Sequence, residues 1–258
     1  MDGLTFKTQA GLDIANVRDY MYWDTESGDG YGYGGLIEEV NSTYATWNWQ
    51  NVLNFTRTFN SVHNLTATAV QEYTHSETEY MDGSVYELSD PFFSEHIISN
   101  TFGQKDVGGW KSENGLASYM FRANYNYDSK YYIGASIRYD GLSKLPKDTR
   151  WGTFWGASAA WRLSREKFWT EAPVNEWFND LRLRASYATI GNSALGSDYP
   201  YLGTYGAKLV GPMAGIAWNV MGNNNLKWET TETFDIGLDG ALFNNRMTFE
   251  IAYWQKNS

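Results

Sequence analysis

The 258-residue sequence contains no cysteine, which excludes a disulfide framework and any thiolate metal site. No run of apolar residues approaches the ~18 needed for a transmembrane helix. The opening stretch "MDGLTFKTQAGLDIANV" has no basic segment followed by an apolar one, so no signal peptide is read there. Positive charge is short: 20 Lys+Arg against 30 Asp+Glu leave a net charge of −10, the wrong sign for a nucleic-acid partner. Helical periodicity is nearly missing as well.

What the chain has in excess is aromatic residues, 17 % of the total with 12 Trp and 19 Tyr, arranged on an alternating pattern. In "YYIGASIRYDG" Tyr131, Ile133, Ala135, Ile137 and Tyr139 share one face, and Tyr132, Gly134, Ser136, Arg138 and Asp140 share the other. Such a period of two marks a strand with one face that avoids water. Nine segments show it: 4–14, about 44–59, about 64–78, 116–127, 131–141, 152–163, 181–190, about 230–240 and 246–256. The expected fold is therefore all-β and antiparallel.

The connections are asymmetric. Those after the second, fourth and eighth segments are tight ("NSVHN", "DSK", "LFNN"), whereas 15–43, 79–115 and 191–229 are long. In a meander, alternate connections lie at the same end, so turns 60–63, 128–130 and 241–245 share one end and the long loops the other. Outer-membrane barrels show this asymmetry. Tyr131 to Tyr139 spans roughly 26 Å along a strand, or about 20 Å vertically at ~40° tilt, near the height of a barrel's apolar band between its aromatic girdles. Trp155 and Trp161 bracket two alanines in the same way. In hydrocarbon only a closed barrel pairs every backbone group of a sheet. A soluble sandwich also alternates and also accepts core aromatics, so pattern alone leaves both open.

Four motifs narrow the choice. Arg138-Tyr139-Asp140-Gly141-Leu142-Ser143 follows a Tyr-rich hairpin; Trp161, Arg162, Ser164, Glu166 and Phe168 form a second element; a strand from Leu181 leads to Gly191-Asn192; and Asn223, Leu226, Trp228 and Glu229 form a fourth. In this order they resemble the barrel of SusC/RagA-type TonB-dependent outer-membrane transporters over residues 116–256, with 41–80 similar to an earlier hairpin of that barrel. Leu142 departs from the family's serine, Arg182 from its lysine and Ala188 from its glycine. The resemblance implies a barrel of about 22 strands around a plug, energised through TonB, importing glycans or peptides in a Gram-negative, Bacteroidetes-like outer membrane under a SusD-like lipoprotein lid. Nine strands are fewer than that, so residues 1–258 are expected to be an internal stretch of the barrel wall, without plug, N-terminal domain or terminal strands. The alternative is a soluble or secreted all-β carbohydrate-binding protein.

Candidate chemistry is sparse, and no catalytic residue, metal ligand or cofactor is assigned. "GYGYGG" (30–35) satisfies G-x-G-x-x-G formally, but no helix or parallel unit follows; a surface loop is expected. "DTESGDG" (24–30) has the carboxylates of a calcium loop without EF-hand spacing. His63, His75 and His96 are too scattered in sequence for a ligand set, and Glu38–Glu39 reads as a solvated edge. Trp110, Tyr199, Tyr201 and Trp218, expected in loops, are the candidates for stacking on a sugar. Arg138, Asp140, Arg182, Arg184, Asp235 and Asp239 fall on the polar face, which the barrel reading makes the lumen. Pairing near Ile190 and Glu229 would set Arg184 opposite Asp235, and cross-strand carboxylate partners are expected for both arginines.

Overall fold

The computed structural model describes residues 3–89, 97–210 and 213–258. Eleven strands dominate them: β1 (Leu4–Trp23), β2 (Leu36–Phe59), β3 (His63–Tyr86), β4 (Lys105–Tyr127), β5 (Tyr131–Leu142), β6 (Trp151–Arg162), β7 (Phe178–Asn192), β8 (Thr204–Val210), β9 (Met213–Val220), β10 (Glu229–Leu242) and β11 (Met247–Asn257). Nine form one antiparallel sheet in the order β1-β2-β3-β4-β5-β6-β7-β10-β11, and β8-β9 form a separate hairpin. The all-β antiparallel expectation holds. Among the described residues no helix is long and apolar enough to cross a membrane.

The tight turns follow from their residue types. Asp128 and Ser129 both hold left-handed φ values, 51° and 54°, and the Lys130 N–H closes on the Tyr127 carbonyl at 2.9 Å. Two successive left-handed residues make a turn whose twist matches that of paired strands. Short polar side chains tolerate this conformation best, and Asn126 Oδ1 accepts the Ser129 N–H at 2.8 Å. Asn60 and Ser61, at 48° and 61°, close β2–β3 in the same manner. Phe243, Asn244 and Asn245 are all left-handed between β10 and β11.

The chain divides into two compact units, one of Met1–Gln9, Trp49–Tyr73 and Leu116–Ser258, the other of Ala10–Asn48 and Thr74–Gly115. In the first, one sheet face is apolar and uncovered: Ile133 is 58 % and Ile137 48 % exposed. A water-soluble sandwich would bury such residues against a second sheet. Two rows of stacked aromatics bound this face. One runs Tyr127–Tyr131–Trp161, with ring centroids 6.3 and 6.4 Å apart. The other is Tyr119–Trp151–Tyr139, at 6.4 and 4.6 Å. The rows coincide with ladder partners, since Tyr127 pairs with Tyr131, Tyr131 with Trp161 and Tyr119 with Tyr139.

The second unit has a small core of Ile37, Val85 and Leu88, with Tyr22 and Ile98 packed against it. It corrects the sequence expectation of loops at 15–43 and 79–115, because β1 and β3 continue as strands to Trp23 and Tyr86, and β2 and β4 begin at Leu36 and Lys105. The reason is visible in β3. Beyond Tyr73, His75, Glu77 and Glu79 alternate with Thr74, Ser76 and Thr78, so both faces are polar and hydrophobic alternation vanishes while the ladder persists. Polar cross-strand pairs hold it: Arg18 to Glu39 at 2.8 Å, Thr43 to Asn16 at 2.9 Å and Thr46 to Ser76 at 3.0 Å. Glu39 is therefore an ion-pair partner. "GYGYGG" begins inside a 3-10 turn, Gly28–Tyr33. Asp24 Oδ1 accepts the N–H groups of Glu26 and Ser27 at 2.6 and 2.9 Å, so this carboxylate caps its own turn. The third long connection, 191–229, is corrected too, since it contains the hairpin β8–β9.

Candidate functional site on the polar face

Opposite the apolar face lies a charged, hydrogen-bonding surface. β7 and β10 pair with Gly237 opposite Arg184 and Asp239 opposite Arg182, two residues away from the expected register. Arg184 still meets its expected partners diagonally: Nη1 donates to Asp235 at 2.6 Å and Nε to Asp239 at 3.3 Å. Its third nitrogen, Nη2, reaches Glu250 on β11, a partner the hairpin argument missed because it lies one strand further. Arg182 Nη2 donates to Asp239 at 2.7 Å. The guanidinium of Arg184 lies where Gly237 has no side chain, since a Cβ there would meet it at 2.8 Å. Paired this way, the arginines offer directional donors without a large net field.

Arg138 and Asp140 are two apart on β5 and so share this face. Arg138 Nε donates to both Asp140 oxygens, at 2.8 and 2.7 Å, and Nη2 to Ser118 at 2.9 Å. Asp140 and Ser118 are buried, which fixes the guanidinium while its far edge stays accessible. It lines a cavity of about 380 Å³ with Met120, Phe154, Thr189 and Trp228. A second cavity of about 540 Å³ is lined by Asn64, Thr66, Asn126, Tyr132, Arg184 and Asp235, among others. Both are concave, polar in part and open.

The motifs acquire physical reasons at the two ends of this face. Trp228 Nε1 donates to the Arg150 carbonyl at 2.9 Å, and its ring meets Phe154 edge-on at 5.2 Å. Thr149 Oγ1 donates to the Leu226 carbonyl and Asn192 Nδ2 to Glu229 at 3.0 Å. Gly191 leaves room for Phe154, whose ring would lie 2.1 Å from a Cβ. The motifs at 191–192 and 223–229 thus tie connection 193–228 to connection 143–150.

At the tight-turn end, Arg162 grips Asp180 through Nε at 2.7 Å and Nη2 at 2.8 Å, and Ser164 Oγ donates to the same carboxylate at 2.5 Å. Glu166 accepts from the Tyr131 hydroxyl at 2.5 Å and the Trp161 indole at 3.1 Å. These two hydrogen bonds hold its carboxyl below the usual glutamate range. Asp180 and Glu166 escaped the sequence reading of sites, although the Trp-Arg-x-Ser-x-Glu element contains every donor that addresses them.

The aromatic candidates sit on three different elements. Trp110 is a strand residue of β4, stacked on Tyr80 with centroids 5.6 Å apart, so its expected loop placement is corrected. Trp218 lies on β9 against Tyr205 at 4.1 Å, again a strand position. Tyr199 and Tyr201 remain in the connection before β8, where the Tyr201 carbonyl accepts the Asn223 N–H at 3.1 Å. His63 Nδ1 lies 2.7 Å from the Tyr125 hydroxyl, a structural role; His96 lies outside the described residues.

Comparison with known proteins agrees with this geometry. A family model described as TonB dependent receptor-like, beta-barrel matches residues 2–258. TonB-dependent receptor P39 of Formosa agariphila is 30 % identical over 99 % of this chain and 24 % of its own length. TonB-dependent receptor SusC of Bacteroides thetaiotaomicron is 33 % identical over 59 % of this chain and 16 % of its own. The solved RagAB peptide transporter superposes with a TM-score of 0.86 at 27 % identity, over 99 % of this chain and 28 % of the matched one. The chain thus spans about a quarter of the length of the relatives it matches.

Proposed function

The chain belongs to the TonB-dependent receptor-like β-barrel family, and from that premise we propose that residues 1–258 form part of the barrel wall of an outer-membrane importer. The observation that carries the proposal is the apolar face bounded by two aromatic rows, Tyr127–Tyr131–Trp161 and Tyr119–Trp151–Tyr139. Tyr131 and Tyr139, eight positions apart on one strand, set these rows roughly 26 Å apart along the chain. At a strand tilt of ~40° this is about 20 Å of height, approaching the ~25 Å lipid-facing band with girdles at both interfaces. The face bearing Arg138, Arg182 and Arg184 then lines the lumen. Its ion pairs give a passing solute hydrogen-bond partners, and energy enters through TonB and a plug elsewhere in the receptor. In this reading the family is one of receptors and transporters, and the wall needs no catalytic group.

The substrate we propose is a glycan or a peptide, and the partner a SusD-like surface lipoprotein above the ends that carry 24–35, 87–104 and 193–228. Support comes from the SusC relative and from the RagAB neighbour, which is a peptide transporter. The test uses the absence of cysteine from residues 1–258, with any cysteine elsewhere in the receptor replaced by serine. Single cysteines at Gly215, on β9, and at Ser129, in the turn between β4 and β5, are placed in the receptor carrying this chain. A membrane-impermeant maleimide on intact cells is expected to label position 215 and spare 129, and removal of the lipoprotein to raise labelling at 215. Labelling of 129 alone inverts the topology. Equal labelling of both on protein that stays soluble without detergent overturns the barrel reading in favour of a soluble carbohydrate-binding protein.

A further inference from the structure

We propose that His75, Glu77 and Glu113 form a binding site for a divalent first-row transition cation, zinc by preference. The three lie within the unit built from residues 10–48 and 74–115, so the inference does not depend on what passes the barrel wall. His75 and Glu77 are two apart on β3 and therefore share a face. Glu113 on β4 comes to them across the sheet, its Oε2 3.9 Å from His75 Nε2. One ligand atom from each residue lies within 4.8 Å of the other two. Zinc holds nitrogen and oxygen donors at ~2.0–2.2 Å in a tetrahedron, which sets donor atoms roughly 3.4 Å apart. Half-exposed carboxylates cover the difference by rotating about their side-chain bonds. One imidazole and two carboxylates are a donor set for zinc, with a fourth position left for water.

The surroundings favour a cation. Glu79 follows on the same face of β3, and Lys111 on β4 is the near positive charge, paired with Glu77. Glu77 and Glu79 on β3 place further carboxylate charge beside His75 and Glu113, which a divalent ion would offset. The Trp47 ring, 5.9 Å from the His75 ring, restricts the imidazole and so lowers the entropy lost on binding. Lys111 competes for Glu77, which makes it the natural control.

The test is zinc titration by calorimetry on the chelator-stripped receptor carrying this chain, in detergent, with cobalt as a spectroscopic reporter of coordination. The expected result is one zinc bound per chain at a site weakened at least tenfold by His75→Asn and by Glu113→Gln, and strengthened several-fold by Lys111→Gln. His63→Asn, whose imidazole serves Tyr125, should leave it unchanged, and millimolar magnesium should not displace the zinc. The exposed Glu113→Gln change carries the test if His75→Asn fails to fold. Zinc affinity indifferent to both ligand substitutions overturns the proposal. Displacement by magnesium or calcium at equal concentration overturns it as well, since it would mark a generic acidic patch.

Discussion

From Tyr131 to Tyr139, β5 sets an apolar residue against a polar or small one at each step, whereas β3 from Thr74 to Glu79 sets polar against polar. Both are regular strands of one sheet. The difference teaches that alternation reports what a strand's faces touch, not whether a strand is there. Where one face meets an apolar medium the period of two is enforced by transfer free energy. Where both faces meet water the ladder survives on backbone hydrogen bonds and on pairs such as Thr46–Ser76. Nothing in hydropathy then betrays it.

The sharpest way to break this comparison is to place the same charge on both regions. Ala135→Arg, midway between Tyr131 and Tyr139, is expected to cost about 2–4 kcal/mol, the range for arginine at a bilayer midplane. Val107→Arg, at an 80 % exposed position of β4, should stay within about 0.5 kcal/mol. Urea unfolding from lipid vesicles measures both, and equal costs would remove the distinction between the two regions.

A smaller effect sharpens the packing of the polar face. Gly191→Ala puts a Cβ 2.1 Å from the Phe154 ring, while Gly196 has nothing within 4 Å. The first change is expected to cost about 1–3 kcal/mol by overpacking and the second to be near neutral, read by the same unfolding assay. Equal costs would show that Phe154 moves aside freely.

The smallest effect concerns the aromatic row that ends the apolar face. Glu166 is held below its ordinary titration range by Tyr131 and Trp161. A group depressed in the folded state stabilises above its unfolded pKa, about 4.3 for glutamate, and that contribution fades as pH falls through the folded value. Glu166→Gln should therefore lower stability slightly at neutral pH and leave it unchanged well below pH 4, in unfolding midpoints across that range. A loss of equal size at both pH values would show that the carboxylate's charge is irrelevant to the latch.

How much could be read beforehand follows the same division. The faces of β5, β6, β7 and β10 were legible because apolar burial enforces them, and so was the need of Arg184 for carboxylates. Trp110 lies on a strand that local pattern does not show, because β4 before Leu116 is glycine-rich and largely polar, with only Val107 and Trp110 apolar and on opposite faces. The four motifs were legible as a resemblance, but their causes were not: the Arg150 carbonyl that receives Trp228 and the Asp180 that receives Arg162 are long-range partners. No local pattern names such a partner. Nor does local pattern announce the His75–Glu113 approach, which joins residues 38 positions apart.

The glycine beneath Arg184 has a bearing on how the sheet assembles. Sliding β10 along β7 by two residues keeps every apolar side chain on the same face, so hydrophobic burial scarcely distinguishes the slipped hairpin from the native one. Such a slip sets Arg184 directly against Asp235, a charge match that local sequence favours. In the slipped pairing the guanidinium would have to lie over an aspartate Cβ; in the native one it lies over Gly237, where a Cβ would stand 2.8 Å from it. During insertion of a hairpin into the growing wall, Gly237 therefore acts as an address. It makes one register sterically open to the arginine and charges the near-degenerate alternatives a clash, which deepens a single minimum in an otherwise repetitive landscape.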